Sequence, residues 1–186
     1  MSDKKNDNQS GEEVGESCKS IGPRCPICDA KGTDIKAVTP QHTLKAVHRR
    51  EIDPNGQYHF CENPDCNVVY FDCIGGSIFT TDKLINRVTI KDEHPDTPLC
   101  YCFKVLKKDA LKELATSGST DVIAMIKEGM KKHGCQCEKL NPRGSCCLKD
   151  IEGWLASKGI DPKNQSKPAS GCGSSSGENR QGGCGC

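Results

Sequence analysis

Apolar residues are almost absent from the first twenty positions and then recur with two different periods along the chain. From Gly22 to Ile90 short apolar runs sit between turn residues. The segments Tyr58 to Cys61, Val68 to Phe71, Ser77 to Phe79 and Arg87 to Ile90 each read as a strand. Ahead of them, Thr39 and Pro40 predict a short helix, Thr39 as N-cap and Pro40 at its first position. Beyond Leu99 the period becomes helical. Leu106, Ala110, Leu111 and Leu114 make one stripe; Val122, Ile123, Ile126 and Met130 make a second, with Ser119 or Thr120 as cap; Leu148, Ile151 and Leu155 make a third. Gly118, Gly134 and Gly159 stand where these helices would stop. "HPDTP", His94 to Pro98, reads as a linker. The expected organisation is α+β: a disordered leader (1–21), a β-rich unit (22–93), a helical unit (94–160) and a flexible Gly/Ser-rich tail (161–186). No internal repeat is visible.

Composition changes what must hold these units together. The chain has 186 residues, only 4% aromatics and a mean hydropathy of -0.63, which argues against one large apolar core. Small units of this kind are commonly stapled by disulfides or metals, and fifteen cysteines could serve either. The N-terminus lacks the apolar stretch of a secretion signal, and no run approaches the ~18 apolar residues of a membrane span, so a cytoplasmic location without membrane insertion is expected. Thiols there stay reduced, and spaced cysteines read as metal ligands. A formal net charge of +1 is too small to make nucleic acid the main partner.

The cysteines form two constellations. "CPIC" (Cys25, Cys28) and "CENPDC" (Cys61, Cys66) are a CxxC and a Cx4C separated by 32 residues, which supplies four tetrahedral sulfurs for a closed Zn²⁺ site. His59 would lie on the same strand face as Cys61 and is the alternative ligand, but the four cysteines already complete the set. Cys73 reads as a small buried hydrophobe and Cys18 as incidental. The second constellation begins at "LCYCF". A disulfide needs Cα atoms about 4.4–6.8 Å apart and a dihedral near 90°, which the small Cys100–Cys102 ring would strain, whereas two thiolates on one metal meet no such demand. After 34 residues comes Cys137, and after eight more the pair Cys146 and Cys147. Four thiolates gathered from these positions could hold zinc or an iron-sulfur cluster. From Cys100 to Ile160 there are eleven Lys/Arg against seven Asp/Glu, including Lys104, Lys107, Lys131, Lys132 and Arg143 near the cysteines, a surplus that would tolerate a negative centre. In the tail, Cys172, Cys184 and Cys186 on a Gly-rich arm could capture a soft ion such as Cu(I) or Hg(II), or could merely decorate a solubilising segment. His94 and His133 have no partner that makes a nucleophile or general base, so no enzyme activity is expected.

"LCYCF" before two helices, with a further cysteine group opening a third, resembles the [2Fe-2S] domain of bacterioferritin-associated ferredoxin and the central region of NifU. "CPIC", "FCENPDCNVVYF", "CYCFKV" and "NPRGSCC" in that order resemble the N-terminal domain of CopZ-type copper chaperones, over about Arg24 to Gly159. That resemblance implies a zinc unit followed by a three-helix [2Fe-2S] unit. It implies cluster ligands at Cys100, Cys102, Cys137 and Cys147, with Cys146 and Cys135 as alternatives to the last two. It also implies soft-metal handling, with the cluster as one-electron donor or redox sensor. The expected partners are a metal-transport ATPase or other metal-handling protein, and a redox partner. Such chaperones usually continue into a copper domain with an MxCxxC loop, and no such loop follows Gly159 in this sequence. Two other functions compete: a ferredoxin-type carrier for a reductase or storage protein, and a zinc-only interaction module.

Overall fold

The computed structural model describes residues 22–161. The expectations for the leader and for the tail cysteines lie outside that range. Strands β1 (Gly32–Asp34), β2 (Tyr58–Cys61), β3 (Val68–Asp72) and β4 (Ile78–Thr80) form an antiparallel sheet in the order β1-β2-β3-β4. Between β1 and β2 run helix α1 (Val38–Thr43) and a 3-10 helix (Ala46–Glu51). After a second 3-10 turn (Thr81–Lys83), β5 (Pro98–Cys100) and β6 (Val105–Leu106) make a two-stranded ribbon. The remainder is helical: α2 (Lys107–Ser117), α3 (Val122–His133), the short α4 (Cys137–Leu140) and α5 (Leu148–Ser157).

Alternation along the central strands decides what each face of the sheet does. Tyr58, Phe60 and Tyr70 join Leu44, Phe79, Leu84 and Val88 in an apolar cluster, while Cys61 and Phe71 join Cys25, Cys66 and Val68 in another. The sheet therefore carries an oily core on one side and a sulfur-rich one on the other. The helices bury a third cluster in which Ala110, Val122, Ile126, Ile151, Trp154 and Leu155 pack on Leu99 and Cys100 of β5. The three expected stripes supply most of it, but Leu111 of the first stripe is exposed and only Ala110 of that stripe is fully buried. No helix among the described residues is long and apolar enough to cross a membrane.

Three local expectations are corrected. Arg87 to Ile90 is not a strand: Lys91 N–H closes a turn on Val88 O, the Tyr101 hydroxyl accepts from Thr89 N–H, and it lies 2.9 Å from Arg87 O as donor. One tyrosine thus satisfies the backbone groups that a neighbouring strand would otherwise pair. Thr39 does not cap α1, which starts at Val38 with Ala37 at the N-cap position, because the Thr39 hydroxyl instead donates to Glu138 O at 2.7 Å. Asp121, rather than Ser119 or Thr120, occupies the N-cap position of α3, although the Thr120 hydroxyl accepts from Val122 N–H at 3.4 Å while donating to Glu113.

Candidate metal centre

Cys25 and Cys28 sit on a tight knuckle whose backbone is fixed by Cys25 N–H donating to Ala30 O (2.8 Å) and Asp29 N–H donating to Cys25 O (2.9 Å). Cys61 ends β2, and Cys66 closes the Asn63 turn that follows, its N–H donating to Asn63 O. The register pairs Gly32 with Cys61, which brings the knuckle over the end of β2. All four sulfurs then lie within 4.8 Å of one another, Cys25 and Cys66 at 4.0 Å and Cys28 and Cys61 at 3.6 Å. A tetrahedron with Zn–S bonds of about 2.3 Å has edges of about 3.8 Å, between those two spacings. The donor set fits a closed zinc site, with no position open for substrate. Lys91 braces the turn, its Nζ donating to Asn63 O and Cys66 O.

Protonation follows the same geometry. Burial opposes ionisation of Cys28, but the Ala30 amide and the Cys66 and Cys61 thiols together bring it down to about 7. Burial pushes Cys61 and Cys66 up. His59, the alternative ligand, is not in the sulfur group: its Nδ1 lies 2.8 Å from Oδ1 of Asp34 across the β1–β2 pair, off the hydrogen-bonding direction. Cys73 is buried in the same cluster and is not among the free thiols.

The second constellation converges where the ribbon meets the helices. Cys100 ends β5, Cys102 lies in the β5–β6 turn, Cys137 opens α4 and Cys147 stands at the N-cap position of α5. Cys102 and Cys137 are 3.7 Å apart, and Gln136 N–H donates to Cys102 Sγ. Cys100 and Cys147 are both buried beside this pair, in the helical cluster. The thiol of Cys147, then those of Cys102 and Cys135, draws Cys137 down to about 5; Cys147 likewise draws Cys100 to about 7, while burial pushes Cys102 up to about 12. Among the described residues only the first four cysteines form one mutually close group. Cys135 and Cys146 are exposed and line an open groove beside Cys137.

The expected cationic surplus near the second group is smaller than the sequence implied. Lys107 is fully buried and paired with Glu93, and Arg143 is held between Glu62 and Asp150. Sequence reading missed these anchors because their acidic partners lie 14 and 81 residues away for Glu93 and Glu62.

Residues 22–85 match a protein family of CopZ type described as a zinc binding domain. The copper chaperone CopZ of Archaeoglobus fulgidus is 30% identical over 129 residues, which is 69% of this chain and 60% of that protein. The chain therefore spans less than two thirds of that relative. The X-ray structure of the Archaeoglobus fulgidus CopZ N-terminal domain superposes with a TM-score of 0.59 at 28% identity, covering 74% of this chain and 98% of that one.

Proposed function

We propose, from the premise that a CopZ-type zinc-binding domain anchors this chain, that it is a soft-metal-handling protein of the metallochaperone kind in which a [2Fe-2S] cluster accompanies the zinc. Cys25, Cys28, Cys61 and Cys66 would hold zinc as a structural staple, and Cys100, Cys102, Cys137 and Cys147 would hold the cluster. When bound, that cluster supplies a single electron, suited to reducing Cu(II) to Cu(I) or to sensing redox state. The chain then acts as a carrier rather than an enzyme, delivering its ion to a metal-transport ATPase or another metal-handling protein and drawing electrons from a redox partner.

One observation carries the iron-sulfur part of this reading. Cys102 and Cys137 of the second group lie 3.7 Å apart with Cys100 and Cys147 buried in the adjoining cluster, yet among the described residues only the first group is a mutually close foursome, and so the second favours a centre wider than one ion. Burial of Cys100, Cys137 and Cys147 favours it too, since such centres are tuned by limited solvent access. The copper part rests on likeness to a protein named as a copper chaperone.

The test is anaerobic purification with metal analysis and EPR of the dithionite-reduced protein. A brown protein with about two irons and one zinc per chain is expected. A colourless protein with zinc in both groups would replace this reading with a zinc-only interaction module. Iron without any Cu(I) binding would leave a ferredoxin-type electron carrier.

A further inference from the structure

We propose that Arg143 is a positioning residue that makes the order of the second cysteine group depend on the first. Its guanidinium spans the two: one side meets Glu62, the residue after Cys61, and the other meets Asp150, on α5 three residues beyond Cys147. The guanidinium also lies over the Phe60 ring at 5.8 Å. Arg143 is 21% exposed and Asp150 only 7%, so the arginine cannot be fully rehydrated without moving the loop that carries it away from α5.

That loop is stiff. Asn141 is buried; its Nδ2 donates to Ser145 O at 2.7 Å, its Oδ1 accepts from Arg143 N–H, and its carbonyl accepts from Gly144 N–H. Arg143 therefore moves with the segment between Cys137 and Cys147. Glu62 in turn is aimed by its place beside Cys61 and by the Thr33 hydroxyl donating to its Oε1 at 2.5 Å. When the first sulfur group is drawn together, Glu62 is presented to Arg143; when it is released, the arginine loses one of its two counter-charges and pulls the Cys146–Cys147 end of the loop towards solvent. The inference rests on the reading that a metal holds the first group, but it does not require iron in the second.

A variant cycle tests it on the full-length chain. Iodoacetamide labelling followed by mass spectrometry gives the alkylation rates of Cys137 and Cys147, with exposed Cys135 as internal reference. C28S, which opens the first group, and R143Q should each accelerate labelling of both cysteines about tenfold, and combining them should add almost nothing, as for residues acting through one network. E62Q, which alters only the somewhat less buried end of the bridge, should reproduce R143Q should the latter fold poorly, and R143K should recover part of the protection because it keeps the charge without the fork. Multiplying effects in the double variant, or an R143Q chain with wild-type rates, overturns the proposal. A wild type without zinc overturns it together with the metal reading, and metal analysis shows that before any variant is compared.

Discussion

Lys107 is a fully buried cation at the start of α2, and its surroundings explain how it is tolerated. Its Nζ donates to Asp92 O (2.9 Å) and to Glu93 Oε1 (2.8 Å), and lies 5.4 Å from the Trp154 ring centre. Glu93 also accepts from Lys158 Nζ and Trp154 Nε1. Burial opposes its ionisation, yet Lys107, then Lys158 and Trp154, hold its carboxyl at about 2. Removing the partner of a buried charge can cost 3–5 kcal/mol, but Glu93 is 66% exposed and water screens part of the loss, so E93Q should destabilise by about 1–2 kcal/mol in urea denaturation at pH 7. The folded pKa lies below the ordinary 4.5, so this contribution is complete above that pH and is lost as pH falls towards 2. The difference in urea midpoint between wild type and E93Q should accordingly be flat from pH 7 to 5 and narrow below pH 4.5. A gap that persists unchanged at acid pH would remove Glu93's charge from the explanation.

Among the elements, those that announce themselves locally were legible in the sequence. β2 and β3 follow from short dense apolar runs between turn residues, and the helical stripes place Val122, Ile123, Ile126, Ile151 and Leu155 in the core where they are found. What could not be read depends on partners far along the chain or on segments too short to show a period. β5 and β6 have three and two residues, fewer than alternation needs. Thr39 has the right chemistry for a cap, but its hydroxyl is claimed by a carbonyl 99 residues on. Spacing did mark the first four cysteines, because two short cysteine loops on a knuckle and a strand end need only one hairpin to meet. It left Cys137 against Cys135 and Cys147 against Cys146 to resemblance; the structure buries the first of each pair and exposes the second, a distinction of side-chain direction. β1 also carries a requirement that pattern does not express. A Cβ on Gly32 would come within 2.5 Å of the Phe71 ring and 3.0 Å of His59 Cβ, so β1 can lie against β2 only because that atom is missing. G32A should cost about 1–3 kcal/mol by overpacking and, because β1 holds the Cys25–Cys28 knuckle over β2, should speed zinc transfer to a competing chelator. The expected loss of stability with unchanged zinc release would separate the strand from the sulfur site.

At the scale of the molecule, two modest apolar clusters are joined by polar bridges rather than by a shared core. The sheet cluster around Phe60 and Tyr70 and the helical cluster around Ile126 and Leu155 are linked by Arg143 to Glu62, by Lys107 and Lys158 to Glu93, and by Thr39 and Lys36 to Glu138. The Lys36 pair is exposed and contributes little, so the coupling falls mainly on the half-buried arginine bridge and the buried lysine. Should zinc hold the sulfur-rich face of the sheet as proposed, both parts should unfold together in one calorimetric transition. Removing zinc with a strong chelator should lower that transition and broaden it, since metal binding to such a site is itself folding free energy. Cutting both bridges in E93Q/R143Q should instead split the transition while zinc stays bound, with only the sheet's component then moving on chelation. The two treatments are distinguishable because one removes the staple of a single part and the other removes the connection between parts. A wild type that already melts in two steps would mean that these ion pairs orient the parts without binding their stabilities together.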